Sequence, residues 1–203
     1  MSYGLAQTTA PTAEPLTLVE VKQHLRLPVE VTDDDSLLTA QLSAARQDVE
    51  DRTNRQLVTA TWTLKADSFP YTTGVWIFPR APLATITSVY YLEAAAGAST
   101  LWASSNYIVS TTREPGEMTL AYGCSFPAVY PIANAVTIVY TAGAAVASVN
   151  VKAKQAIKLK LSEWHAQTPM EAEGCRKAYE ALINSLLIGD EFHCYDPAAE
   201  VYA

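Results

Sequence analysis

Three consecutive aspartates, Asp33, Asp34 and Asp35, stand directly ahead of a run with helical spacing in TDDDSLLTAQ. Carboxylates ligate magnesium and calcium and serve as acids and bases in hydrolysis, so this is the first stretch where a reaction could be sought. A metal site or an acid–base pair needs carboxylates that converge from different elements. Neighbours on the first turn of one helix instead diverge by about 100° per residue. The run therefore reads as a helix start. Thr32 or Asp33 is the expected cap, accepting hydrogen bonds from free backbone N–H groups, and the remaining acids meet the positive end of the helix dipole, for about 0.3–1 kcal/mol each.

The other reactive side chains are scattered. Cys124, Cys175 and Cys194 show no CxxC spacing and are joined only by His24, His165 and His193, so neither a zinc site nor a disulfide framework is expected; an odd number of cysteines fits a reducing compartment. His165 follows Glu163 and Trp164, but helix neighbours do not face one another, and no GxSxG, HExxH, P-loop or GxGxxG accompanies them. Cys124 in AYGCSFP has no local histidine to activate it. No catalytic, metal or cofactor residue is assigned.

Two features could serve surfaces rather than reactions. The lysines of VKAKQAIKLKL read mainly as a solvated helix face, with Lys154 and Lys158, one turn apart, as candidates for weak, sequence-independent contact with DNA, if this helix lined a channel, or for contact with a neighbouring subunit. In the last residues Phe192, Tyr195, Val201 and Tyr202 lie in a segment too short and irregular to bury them unaided. Such aromatic groups act as anchors in a partner's groove, or fold back on their own domain.

The elements that must position these groups follow from periodicity. The 203 residues are 49% apolar, enough for one good-sized core or two small ones. No window is long and apolar enough to span a membrane, and the first residues lack a basic and an apolar region of the signal-peptide kind, so a soluble, non-secreted protein is expected. The net charge of −7 is unevenly spread: five basic and nine acidic side chains in 1–56, three and four in 57–149, six and eight in 150–203. Without a large basic patch, sequence-reading nucleic-acid binding is not expected.

Residues 1–15, rich in Thr, Ala and Pro, read as a flexible arm. Thr17 and Glu20 form a capping box, flanked by Leu16 and Val21 at the staple positions, for a short helix with Leu18, Val21 and Leu25 on one face and Pro28 at its end. A second helix carries Leu38, Leu42, Ala45 and Val49 and ends near Asn54. From Leu57 the period becomes two: LVTATWTL, then VWIF at 75–78, TITSVYYL at 85–92, NYIVS at 106–110, EMTLAY at 117–122 and AVTIVYTAG at 135–143, an antiparallel sheet or small barrel. Helical spacing returns with Ala153, Ile157, Leu161 and Trp164, and again with Cys175, Ala178, Leu182 and Leu186, with Gly189 as C′ residue. The expected fold is α+β: a four-helix bundle core (16–56 and 150–189) with an antiparallel β domain (57–149) inserted between the second and third helices, and an extended tail, 190–203.

The phrases EPLTLVEVKQHLRL, DDDSLLTAQLSAARQDVEDRTNRQLVTATWTL, IFPRAPLATITSVYYL, AVTIVYTAG and KQAIKLKLSEWH, in this order, resemble the tailed-phage head-tail connector proteins of the gp6-like, phiE125 gp8-like type. The resemblance covers roughly residues 14 to 166. It implies a non-enzymatic adaptor of the virion neck, assembled in the host cytoplasm as a homo-oligomeric ring, usually of twelve copies, that docks beneath the portal protein, extends the DNA channel close to the genomic DNA and presents a surface to the next neck or tail protein. It implies no cofactor and no membrane. The last segment, KAYEALINSLLIGDEFHCYDPAAEVYA, departs from the usual ending of such proteins. A tail-completion or terminator protein is the alternative structural role, and an enzyme of unknown chemistry the alternative from another class.

Overall fold

The computed structural model describes residues 3–93, 97–165 and 172–188, with side chains of α4 from Arg176 onward. The architecture is α+β, and the chain divides into two compact units: a β unit from residues 3–12 and 59–144, and a helical unit from residues 13–58 and 145–188.

In the β unit, a five-stranded antiparallel sheet runs in the order β1-β2-β8-β4-β5, from β1 (Tyr3–Thr9), β2 (Ala60–Ala66), β8 (Val136–Ala142), β4 (Leu83–Tyr91) and β5 (Thr100–Leu101). A three-stranded sheet is ordered β3-β7-β6, from β3 (Val75–Ile77), β7 (Glu117–Leu120) and β6 (Tyr107–Ser110). The centre of the larger sheet shows why the alternation matters. In the β2–β8 ladder Trp62 stands opposite Tyr140, Leu64 opposite Ile138 and Ala66 opposite Val136, so every inward pair is apolar, while Thr61 and Thr63 take the other face. Tyr140 keeps its hydroxyl satisfied inside this core by donating to the Pro79 carbonyl at 2.8 Å. Phe69 stacks on Phe126 with ring centroids 5.0 Å apart and meets Trp102 at 5.1 Å.

Residues 3–9 correct the expectation of a flexible arm. They form β1, antiparallel to β2, with Leu5 opposite Leu64. Leu5 is the one side chain of β1 that is not exposed, so the strand is held by its ladder rather than by apolar burial. The short β5 also goes beyond the strands expected from alternation.

Close packing fixes one glycine. A Cβ placed on Gly116 would collide with the Leu83 Cβ, an atom at the root of its side chain that cannot swing away. Gly116→Ala should therefore destabilise the β unit by about 1–3 kcal/mol, read as a lower melting temperature.

The helical unit contains α1 (Leu18–Leu25), α2 (Asp35–Thr53), α3 (Val151–His165) and α4 (Ala172–Leu187). Helix α3 packs against each of the other three. Their common core includes Val21, Leu38, Leu42, Ala45, Val49, Ala153, Ile157, Leu161, Ile183 and Leu187. Helix α1 stops at Arg26 rather than at Pro28: Arg26 takes the left-handed conformation at φ 58°, and the N–H groups of Arg26 and Leu27 return to the carbonyls of Gln23 and Lys22. Asn54, at φ 56°, ends α2 in the same way.

Two helix faces differ from the spacing read in the sequence. Trp164, the fourth member of the α3 stripe, is 39% exposed, and buried Lys160 takes a place in the core-facing surface. In α4 the inward residues are Ile183 and Leu187, whereas Ala178 and Leu182 face outward. The sequence ALINSLL contains two apolar stripes one residue apart, and periodicity does not say which one meets the core.

Candidate functional site

The aspartate run resolves into three different fates. Helix α2 is capped by Asp34, with no side-chain capping bond, and the Asp35 N–H instead reaches the Thr32 carbonyl at 3.1 Å. This corrects the assignment of the cap to Thr32 or Asp33, both of which are exposed. Asp35 is used differently, as the partner of a buried cation. Its Oδ1 lies 2.5 Å from Nζ of Lys22 on α1. Lys22 is 3% exposed, and its ammonium also donates to the carbonyls of Val29 at 3.2 Å and Val31 at 2.6 Å. Two hydrogen bonds and one ion pair of a single buried lysine thus fasten the α1–α2 loop and the first turn of α2.

The box at the start of α1 is complete. The Glu20 N–H donates to Thr17 Oγ1 at 3.2 Å, and the Thr17 N–H donates to Glu20 Oε2 at 2.7 Å. Hydrogen bonds from the Thr17 backbone and then its hydroxyl hold the Glu20 carboxyl below its ordinary pKa, and the charges of Lys158 and Lys154 act in the same direction. Lys154 and Lys158 are half-buried beside α1, while Lys152 is exposed and Lys160 is buried, so the four lysines do not form one solvated face. One turn on, the Ser162 hydroxyl donates to the Lys158 carbonyl at 3.2 Å, leaving its oxygen to accept from His24 Nε2 at 2.8 Å.

A second charged cluster lies deeper. Arg46, 2% exposed, donates through Nε to Glu14 at 2.8 Å and through Nη1 to Glu50 at 2.5 Å. The other Glu50 oxygen accepts from the Gln56 side chain at 2.7 Å and the Leu57 N–H at 2.9 Å, and Gln56 also donates to the Val58 carbonyl at 3.0 Å. Burial pushes the Glu50 carboxyl above its ordinary pKa, against the opposing pull of Arg46 and the backbone hydrogen bonds at Leu57 and Val58. The cluster fixes the chain where it enters the helical unit, at Glu14, and where it leaves α2, at 56–58.

A third network joins three helices. Lys160 stands 3.2 Å from Glu163 and 3.8 Å from Asp48; Arg52 donates to Asp48 at 2.9 Å, to Asn184 at 3.2 Å and to Glu180 at 3.4 Å. Sequence reading placed Lys160 on a solvated face and gave Lys22, Arg46 and Glu50 no role. The available signal was phase: Lys22 lies four residues after Leu18, and Arg46 four after Leu42, inside the apolar stripes.

Among the described residues no group of three or more His, Cys, Asp or Glu could hold a metal ion, and no helix is long and apolar enough to cross a membrane. Cys124 is a free, half-buried thiol whose Sγ lies 3.9 Å from Asn106 Oδ1. Phe192, Tyr195, Val201 and Tyr202, together with Gly189, lie outside the described residues. The buried charged groups of the helical unit, Lys22, Arg46, Glu50 and Lys160, are thus engaged in holding helices and loops.

Residues 15–86 match the family model described as phage gp6-like head-tail connector protein. The match begins just ahead of α1 and runs through α2, β2 and β3 into β4, so it takes in the Lys22–Asp35 pair and the Arg46–Glu50 pair. No curated protein matches the chain.

Solved structures extend the likeness beyond residues 15–86. A chain in the neck of an empty GTA particle, computed with C6 symmetry, is similar at a TM-score of 0.68 and 24% identity, over 87% of this chain and 94% of that one. A chain in the virion of a native gene transfer agent (GTA) particle is similar at 0.64 and 24%, over 86% and 94%. A chain in the neck of a native GTA particle, computed with C12 symmetry, is similar at 0.63 and 25%, over 87% and 94%.

Proposed function

We propose that the protein is a structural component of a phage-type neck, a head-tail connector that works as a homo-oligomeric ring of twelve copies below the portal, extends the DNA channel and gives the tail its docking surface. The observation that carries this reading is the shared fold with neck chains over 94% of their length, joined to the connector-domain match at residues 15–86. The C12 symmetry of one related neck supports the ring. Its action is mechanical and non-enzymatic: ion pairs spent on fixing helices give a subunit that keeps its shape under load. The excess of acids over bases suits a conduit, because strong phosphate contacts would retard passing DNA.

In this proposal the four helices form one bundle, with the β unit inserted between α2 and α3. Lys154 and Lys158 supply sparse positive charge toward a neighbouring subunit or the channel, and Phe192, Tyr195, Val201 and Tyr202 anchor the chain on the portal. Particles produced without this protein should accumulate as heads lacking tails, scored by electron microscopy; normally tailed particles would refute the connector role. Removing residues 190–203 should leave the melting temperature unchanged and abolish binding to purified portal, with normal binding refuting the anchor.

A further inference from the structure

The helical unit exposes apolar surface in two places of opposite charge, and we infer that they are the two halves of one contact between successive copies, a reading that rests on the ring proposed above. The first half is the α1–α2 loop with the start of α2. Val31 is 49% exposed and Leu37 55%, with Val29 beside them. Lys22 holds the carbonyls of Val29 and Val31 by hydrogen bonds and the Asp35 carboxylate by an ion pair from within, with these side chains turned outward. A buried ammonium spent on a loop whose own valines face outward is a means of presenting them in one fixed shape, which lowers the ordering cost of a contact. Glu30, Asp33 and Asp34 surround them, leaving the loop acidic even with Arg26 at its start.

The second half is the outward face of α4. Leu182 is 47% exposed, and Ala178 and Ala181 are exposed with it, next to the exposed basic residues Arg176 and Lys177. This helix is also fixed, through the bonds of Arg52 to Glu180 and Asn184. From Asp35 to Arg52 helix α2 rises about 25 Å, which keeps the two halves of one copy apart. A contact between unlike patches of neighbouring copies is heterologous, and such contacts repeat around a ring when the rotation closes. The partner of each patch is therefore a second copy of this chain, with apolar side chains central and opposite charges at the rim.

The test uses the full-length chain in assembled particles. Asp33→Lys with Asp34→Lys, and separately Arg176→Glu with Lys177→Glu, should each lower the copies of this chain per particle about tenfold or more, while circular dichroism of the purified variants stays unchanged. Combining all four changes in one chain should restore the copy number to within about threefold of the original, because the coupling of the paired sites is kept with its signs exchanged. A combined variant no better than its parts, or parts without effect, overturns the pairing. As a second arm, Val31→Cys with Leu182→Cys, in a chain with serine at 124, 175 and 194, should give a ladder of covalent multimers on oxidation of particles. Monomer alone overturns the contact. Unaltered protein found in particles as a single copy would overturn the ring itself, so the two failures are distinguishable.

Discussion

Arg46→Ala should be the most destabilising single change in the helical unit, lowering the unfolding free energy by about 3–5 kcal/mol, because it leaves a buried carboxylate without its cation. Glu50 would keep the Gln56 side chain and the Leu57 N–H but lose its ion pair, and Glu14 would lose the guanidinium that ties it to α2. The pH dependence separates this from a simple packing loss. Burial has already raised the folded-state pKa of Glu50 above the ordinary 4.5, and removing the attraction of Arg46 raises it further. A carboxyl with a raised folded pKa contributes stability below its unfolded pKa and loses it as pH rises through the folded value. The deficit of Arg46→Ala should thus be smallest below about pH 4, where the carboxyl is mostly protonated in both states, and grow toward neutrality. Urea unfolding of the variant and the parent at a series of pH values measures it; a deficit independent of pH would mean that only packing was lost. Arg46→Met with Glu50→Leu should recover most of the loss, since apolar replacement of both partners removes the stranded charge.

The division of labour between local and tertiary forces explains which parts of this molecule are legible in its sequence. β2 and β8 are legible because half of each strand is core: Trp62, Leu64, Ile138 and Tyr140 alternate with threonines and other outward residues, and burial on one face imposes that pattern. β1 leaves no such trace. In YGLAQTT only Leu5 is even partly buried, and the strand exists because β2 offers it a row of hydrogen-bonding partners. The start of α1 is legible because Thr17 and Glu20 act within one turn. The start of α2 is not, because Asp35 answers to Lys22 on another helix, an interaction no local rule contains. The same reason hides Arg46, Glu50 and Lys160, whose burial is decided by what the neighbouring elements bring to them. The inward face of α4 is undecided for a different reason: Leu182 and Ile183 serve equally well as members of a stripe, and the choice between them is made by the other helices.

Lys22→Met carries this separation of roles furthest. The substitution preserves the length and apolar stem of the side chain and removes only the ammonium, leaving two carbonyls without their donor and the Asp35 carboxylate without its cation. The Asp35 side chain is 29% exposed, but the Oδ1 that faces Lys22 is buried, so the carboxylate recovers water only in part and the cost should be about 3 kcal/mol. The larger effect should be local. Amide hydrogen exchange across residues 28–34 should speed up by an order of magnitude or more while α3 stays protected, because the loop loses the ammonium that holds the Val29 and Val31 carbonyls from within. Nothing facing outward has changed, since Val29, Val31, Leu37 and the aspartates are all retained. If this loop meets its neighbour as a preformed surface, Lys22→Met should nonetheless reduce the copies of the chain per particle, the ordering cost now falling on assembly. Unchanged exchange at 28–34 would show that the lysine does not hold the loop. Faster exchange with full incorporation would show that the ring does not require the loop to be held.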